Sequence, residues 1–555
     1  MQTREENKIL AEFDYKPAKL DKGYTNKTLY VNISDKRIYE KNVTDLMKNI
    51  FIGGRGFGLW YLWNAVKPET KWNDPENEII ISPGPICGIT TYPGSGKSLV
   101  VSLSPMTGVV IDSNVGGYFG PFLKFSGFDA LELQGKSDKE VIIYIDGVNG
   151  KITIEEAENE PSDTHVLVDL LVDRYSESEE EKKNISVVSA GTAAENTLIG
   201  CLNFSFYDQN RKQNRLKQAG RGGIGTVLRD KKIKALVIRS KNFKGDANNP
   251  FDRAILSKVG IKLHKEIHDN DESQCNMRKY GTANLVKIMN DYDLLPVHNF
   301  KFGAHSDFKN ITGEEFYRAY LGKNKPDGCW YGCTLACAHV MEGFVLQTGP
   351  YRGQKVIVDG PEYETVAGVG SNPGIFDMHA IGEINFYCDT YGIDTISFGT
   401  LLAFVMECYE NGIINKEITG GLELKFGNKE AALELLHQMS KGEGFGKIAG
   451  QGVRKMKEIF AKEYKADTGF LSDIGMEVKG LEYYQYVSKE SLAQQGGYAL
   501  ANKGPQHDEA WLIFMDMVNN QIPTFEDKAE ALHYFPLFRT WFGLNGLCKL
   551  LWNDI

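Results

Sequence analysis

Three of the chain's nine cysteines fall within nine residues, Cys329-Trp330-Tyr331-Gly332-Cys333-Thr334-Leu335-Ala336-Cys337. Three thiolates on one short loop can grip three irons of a [4Fe–4S] cluster, and a fourth ligand must then come from elsewhere. Cys548, in Gly546-Leu547-Cys548, is the best-placed candidate. Spacing alone leaves two other readings open. The cysteines can be small buried hydrophobes. They can also bind zinc, although His339 lies only two residues past Cys337, which is awkward for a tetrahedral site. A radical-enzyme loop needs a tighter gap before its last cysteine, and this one is a residue too wide.

Glycine-rich segments are the second chemical signal, because backbone without a Cβ can bring N–H groups close to an anion. Gly53-Gly54-Arg55-Gly56-Phe57-Gly58 reads as such a loop, leading into a helix with Trp60, Tyr61 and Trp63. Gly94-Ser95-Gly96-Lys97-Ser98 invites a phosphate-loop reading. That motif needs glycine where Thr91 stands, and a helix where Leu99 to Leu103 reads as a strand, so the reading is declined. Lys97 remains a point charge for a phosphate. Asp112-Ser113-Asn114-Val115-Gly116-Gly117-Tyr118-Phe119-Gly120 and Ala219-Gly220-Arg221-Gly222-Gly223-Ile224-Gly225 complete the set.

The elements that must carry these groups divide the chain. Strands are expected at Leu29–Ile33 and Arg37–Tyr39 as a hairpin, at Ala130–Leu133, at Val141–Ile145 and at Ala235–Ile238. A helix fits residues 162–175, and the acidic run Glu177–Glu181 reads as a solvated loop. Gly245 to Pro250 reads as a boundary, after which the period shifts toward 3.6. Helices are expected at 377–391, 397–411 and across 429–464, with a break at Gly442–Gly446. The fold class is α+β: a β-rich domain at 1–245, a helical domain with the cysteine loop at 246–475, and a helical C-terminal domain at 476–555.

Composition sets limits. With 42% apolar and 25% charged residues and a net charge of −10, the chain has no global basic field for nucleic acid. No apolar run approaches the ~20 residues of a membrane span. Residues Met1–Lys8 are polar, without a signal core. An odd cysteine count with three clustered fits metal ligands and core thiols, hence a reducing, anaerobic cytoplasm.

Several motifs in register resemble the tungsten-dependent aldehyde:ferredoxin oxidoreductase family along nearly the whole chain. They are Gly116–Gly120, Ala219–Gly225, Lys279-Tyr280-Gly281-Thr282-Ala283, Gly360-Pro361-Glu362-Tyr363-Glu364 and Asp389-Thr390-Tyr391-Gly392-Ile393-Asp394. The resemblance implies tungsten, or molybdenum, held between two pyranopterin dithiolenes beside a [4Fe–4S] cluster on Cys329, Cys333, Cys337 and Cys548. It implies that Asn114, with Gln218 or Ala219, offers backbone carbonyls to a Mg²⁺ bridging the pterin phosphates. Lys97 stands where an arginine meets a pterin phosphate. Asp389 and Asp394, with Gly392, resemble the element whose carboxylates accept from a pterin edge; helix capping is the alternative for both. Gly117, Gly220 and Arg221 belong to the pterin-clasping loops.

The sequence departs from the family in four places. The first gap of the cysteine loop is one residue longer. Gly543 replaces the aspartate expected before Cys548, and Phe386 replaces the histidine of a Glu-x-x-His pair that begins at Glu383, so no inter-subunit metal is expected. The chain also stops roughly a hundred residues early, as a short member or one lacking its final segment. Within the family, Lys503-Gly504-Pro505-Gln506-His507-Asp508-Glu509-Ala510-Trp511 and Trp541-Phe542-Gly543 look like the active-site subunit of ATP-independent (class II) benzoyl-coenzyme A reductase. That implies reduction of an aromatic acyl-CoA to a cyclic dienoyl-CoA, with electrons delivered by Fe–S partner subunits or a ferredoxin. His507 is then the proton donor and Glu364 its relay or metal-water partner, with His298 a weaker candidate. Aldehyde oxidation at the same metal, and an Fe–S electron relay without tungsten, are the alternatives.

Overall fold

The computed structural model describes residues 7–157, 159–241, 248–274, 276–322 and 327–551. The expected boundary at Gly245–Pro250 lies partly outside these, as does Cys275. Thirteen strands precede residue 240: β1 Ile9–Asp14, β2 Lys27–Asn32, β3 Arg37–Asn42, β4 Ile79–Pro83, β5 Ser98–Leu103, β6 Val110–Val115, β7 Ala130–Gln134, β8 Val141–Asp146, β9 Lys151–Glu156, β10 Ile185–Ser189, β11 Leu202–Asp208, β12 Gln213–Ala219 and β13 Ile233–Arg239. They form a six-stranded sheet in the order β3-β2-β7-β4-β5-β6 and a seven-stranded sheet in the order β1-β9-β8-β13-β10-β11-β12. Strands β5 and β13 are buried along their whole length, which is why they read as continuous apolar runs instead of alternating ones. Val100, Leu131, Ile143, Phe204 and Leu236 pack into a core shared by both sheets.

The sheet ends set the site. The N–H of Arg221, just past β12, donates to Ser113 Oγ on β6 at 3.3 Å, so the outer strands of the two sheets meet edge to edge. The glycine turns on these edges make room for the cysteine loop. A Cβ on Gly96 would sit 2.2 Å from Trp330 Cβ, and one on Gly116 would sit 2.9 Å from Cys329 Sγ. The run Gly53–Gly58 serves otherwise: it is no loop, and a helix starts at Gly54 and runs to Ala65. A Cβ on Gly54 would lie 2.1 Å from the Gly543 carbonyl oxygen and one on Gly58 would lie 2.4 Å from Val101, so close packing explains these glycines. The acidic run is also less free than expected, since Glu177 and Glu181 both pair with Arg239, at 2.9 and 2.8 Å.

Beyond residue 250 the chain is mainly helical. Met378–Tyr391 is capped by Asp377 and stopped by Gly392 at φ +72°. Thr395–Glu410 follows at once, buried on nearly every side and therefore central to the helical core. Lys429–Lys441 ends at Gly442, and Gly452–Glu463 resumes after the expected break. The last long helix, Phe525–Asn545, opens with a Thr524/Asp527 capping box and stops at Gly546. It delivers Cys548 onto the glycine turn before β5, where the Cys548 N–H donates to the Gly94 carbonyl at 2.8 Å. Among the described residues no helix is long and apolar enough to cross a membrane.

Candidate functional site

The cysteine loop is held at both ends. Asp327 pairs with Arg211 and Arg215, at 2.7 and 3.2 Å, and its carbonyl accepts from the Ala338 N–H at 3.0 Å. Trp330 Nε1 donates to the Ile89 carbonyl, and Arg278 donates to the Thr334 carbonyl at 2.9 Å. Cys329, Cys333 and Cys337 are half-buried and Cys548 is buried. All four lie around Lys97. Burial by itself would lower the pKa of this ammonium, but the charges of Cys329, Cys548, Cys337 and Cys333 outweigh it and the net shift is upward. Burial pushes the Cys333 thiol up to about 12 and the Cys337 thiol well above its ordinary value. Cys333 and Cys337, held toward the thiol form by burial, and two further cysteines around a half-buried ammonium suit a metal centre that displaces their protons.

A cavity of about 300 Å³ adjoins this cluster, and Lys97, Asn114, Glu364, His507 and Cys548 all reach its wall. Residues expected to act together, from 97 to 548 in the sequence, are thus gathered at one place. Tyr363, Tyr486, Trp511, Met277 and Leu285 give it a mostly apolar, aromatic lining. Glu364 Oε1 and His507 Nδ1 are 3.6 Å apart, beyond hydrogen-bond length, and neither atom has a hydrogen-bond partner among the described residues. What surface these two side chains keep lies on the cavity wall. Burial raises the Glu364 pKa to about 8 against the N–H of Gln485, which donates to its other oxygen at 2.9 Å. Burial lowers the His507 pKa to about 3. The ring of Tyr484 stands edge-on to His507 at 4.0 Å. His298, in contrast, stacks on Phe426 at 4.5 Å and is not on this wall.

Behind His507 lies a buried ionic network. Lys503 meets Asp112 at 3.1 Å and Asp508 at 2.9 Å, Lys549 meets Asp508 at 2.8 Å, and Arg55 meets Asp112 at 3.1 Å and Glu509 at 2.6 Å. Three cations and three anions balance, and each offsets the desolvation of its neighbour. The network ties the His507 segment to β6 and to Lys549, the residue after Cys548. None of this was visible in periodicity; the only sequence signal was the charged stretch 503–509 itself.

The remaining expected residues form a layer beside the cavity instead of its wall. Arg221 pairs with Asp394 at 3.0 Å, its guanidinium lies 4.6 Å from the Tyr484 ring, and its NH1 has no hydrogen-bond partner among the described residues. Asp394 N-caps the helix Thr395–Glu410 through the Ile396 N–H, so the capping role is real. Asp389 is half-buried, its carboxyl pushed well up by desolvation, with Asn385 donating to it at 3.3 Å. Its backbone carbonyl accepts from Asn203, which in turn accepts from Gln218. Gly117 abuts Phe204 on the same strand as Asn203, while Asn114 Nδ2 donates to the Leu547 carbonyl at 3.3 Å. A half-buried carboxyl beside a buried guanidinium with an unpartnered donor fits a polar heterocycle such as a pterin.

Four gathered thiols next to a buried carboxyl–imidazole pair, on a β-rich domain closed by helices, define an oxidoreductase with a resident redox centre. Residues 28–240 match the N-terminal domain of aldehyde ferredoxin oxidoreductase, and residues 258–555 match domains 2 and 3 of the same family. The tungsten-containing aldehyde ferredoxin oxidoreductase of Pyrococcus horikoshii is 34% identical over 88% of this chain and 75% of its own length. That of Pyrococcus furiosus is 31% identical over 95% and 81%. Among solved structures, the active-site complex BamBC of benzoyl coenzyme A reductase with 1,5-dienoyl-CoA shares the fold, with a TM-score of 0.70 and 19% identity over 95% of this chain and 81% of that one. The chain belongs to the aldehyde ferredoxin oxidoreductase family. The family is tungsten-containing and implies a tungsten–pterin cofactor.

Proposed function

We propose that this chain is the catalytic subunit of a tungsten enzyme that reduces the ring of an aromatic acyl-CoA to the cyclic dienoyl-CoA. The observation that carries this reading is where segment 503–511 lies. The stretch that resembles class II benzoyl-CoA reductase is the one that supplies His507, Asp508 and Trp511 to the cavity wall. We assign the pterins to Asp389, Asp394, Arg221, Gly117, Gly220 and Gly392. A Mg²⁺ between their phosphates falls to the carbonyls of Asn114 and of Gln218 or Ala219, and a [4Fe–4S] cluster to Cys329, Cys333, Cys337 and Cys548, with Lys97 as their half-buried counter-charge. All four cysteines act on Lys97, and a multi-iron cluster is the centre that takes four thiolates from one loop and a distant residue.

When bound, the tungsten–pterin centre supplies the low-potential electron chemistry. The chain's own residues do the rest. Tyr363, Tyr486, Trp511 and Leu285 hold the ring in an apolar space and exclude water. Glu364, protonated at neutral pH, is the standing acid, and neutral His507 beside it accepts and passes on the proton. This exchanges the roles that sequence reasoning gave the pair, because burial favours the uncharged form of each. An Fe–S electron-transfer subunit or ferredoxin is the partner this reading requires.

Aldehyde oxidation to a carboxylic acid is a second reading, favoured by the activity in the names of the relatives at 31–34% identity. The same pair then takes protons from water. Anaerobically purified protein, with tungsten, molybdenum and iron counted, separates these readings when assayed with viologen dyes. Turnover of benzoyl-CoA with benzaldehyde ignored supports the first. The opposite result moves the chain to the second. Iron without tungsten or molybdenum, in protein made with both available, leaves an electron relay and sinks both.

A further inference from the structure

Tyr363 and Tyr486 form one wall of the catalytic cavity, and either reaction moves protons on every turnover. A second cavity of about 370 Å³ lies across that wall. Exposed Asp473 and Lys489 line its mouth, with Ser488 and Asn299 further in. Tyr486 lines both cavities. It is 2% exposed, stacks on Tyr363 at 5.0 Å, and reaches the Glu364 carboxyl closely enough to pull its pKa down against burial. Tyr498 fills the layer beside it, fully buried, its hydroxyl without a partner among the described residues, its ring 5.0 Å from Tyr483 on the outer cavity's wall.

The outer cavity is held open by an unusual piece of backbone. His298, Asn299 and Phe300 are three consecutive non-glycine residues in the left-handed region, at φ +50°, +58° and +61°. Single residues visit that region; runs do not unless surrounding bonds impose them. Here Asn299 Nδ2 donates to Glu407 at 2.7 Å and to the Ile474 carbonyl at 2.8 Å, and the Phe300 N–H donates to Asn372 Oδ1 at 3.0 Å. The segment that carries His298 thus shapes an open space one tyrosine away from Glu364.

We propose that protons cross between solvent and the Glu364–His507 pair through this wall, with Tyr486 as the relay. The Tyr486 hydroxyl gives its proton to a Glu364 carboxylate oxygen as it takes one from water in the outer cavity, and the reverse sequence returns a proton to solvent. No net charge stays on the phenol, which matches a hydroxyl whose burial holds its pKa well above the ordinary range. The inference rests on the assignment of Glu364 as the proton-handling group, and it holds for either substrate.

Infrared spectroscopy tests it without turnover. The carboxylic C=O band of Glu364, assigned by its loss in Glu364→Gln, shifts when the protein is moved into D₂O. In Tyr486→Phe, which keeps the ring and removes one oxygen, that shift is expected to slow by about tenfold or more. Glu78, a buried carboxyl in the six-stranded sheet with its pKa raised to about 8, is the internal control and keeps its rate. Equal exchange of Glu364 in wild type and Tyr486→Phe overturns the proposal, as does equal slowing of Glu78. A fall in kcat with Glu364 exchange unchanged assigns Tyr486 to positioning alone and also overturns it. A Glu364→Gln enzyme with normal turnover refutes the acid role of Glu364 and not the proton route, so the two failures are distinguishable.

Discussion

The two ends of the active site solve the same problem in opposite ways. At the cysteine end a full charge is kept inside the protein: Lys97 stays cationic because four cysteines surround it. At the acid end charge is removed: Glu364 and His507 are both shifted toward their neutral forms by burial, which outweighs Arg221 acting on the one and Asp508 on the other. The difference is one of company. Desolvation acts on both, and the sign of the outcome depends on whether opposite charge outweighs it. On the proposed function the first end holds an electron-carrying centre, which tolerates fixed charge, and the second a proton-handling pair, which works by gaining and losing it.

The largest effect on this contrast is expected from Glu364→Gln, which keeps shape and removes the acid. Turnover should fall by about 10²–10⁴-fold with tungsten and iron contents unchanged. Lys503→Met strikes the network that joins the two ends and leaves Asp112 and Asp508 short of one partner. Breaking a buried pair this way costs about 3–5 kcal/mol, read as a lower denaturation midpoint. Cys548→Ser should cut iron content and lower activity by about 100-fold with a protein electron donor, a loss of the order seen when metal-centre support is removed. The smallest effect is a pH limb. Because the folded Glu364 pKa is raised from its ordinary 4.5 to about 8, the proton donor is present below that value and lost above it. Ring reduction should fall about tenfold per unit above that pH, and this limb should vanish in Glu364→Gln. The same shift makes Glu364's contribution to stability decline as pH rises from 4.5 toward 8, the opposite of a salt-bridged carboxylate.

Much of the scaffold was legible because its signals are local. The hairpin of β2 and β3, the helices Met378–Tyr391 and Thr395–Glu410, and the Gly442 stop follow from alternation, 3.6 periodicity and caps. The glycine run 53–58 misled for a physical reason. A glycine needed for close helix packing and one needed for anion approach look identical in sequence, and only the Gly543 carbonyl beside Gly54 tells them apart. The site was legible in part: Lys97, Asn114, Glu364, His507 and Cys548 reach one cavity, while Arg221, Asp389 and Asp394 lie beside it. Its tyrosine wall was not. Tyr363 and Tyr486, which line it, are two among 26 tyrosines, and nothing local separates a wall residue from a core one. The Asp112–Lys503–Asp508–Lys549 network was hidden likewise, since its members span more than 400 residues of chain and meet only in the folded state.

Cys548 lies about 200 residues beyond Cys337 in the chain, yet both flank Lys97. Any centre bound by all four thiols therefore cannot be completed during synthesis of the cysteine loop. It must wait until the helix Phe525–Asn545 has docked against the helix Gly54–Ala65. Loading is thereby a checkpoint on assembly: a chain that stalls or misdocks before residue 548 offers three thiols and stays unfinished, open to whatever machinery removes incomplete apoprotein.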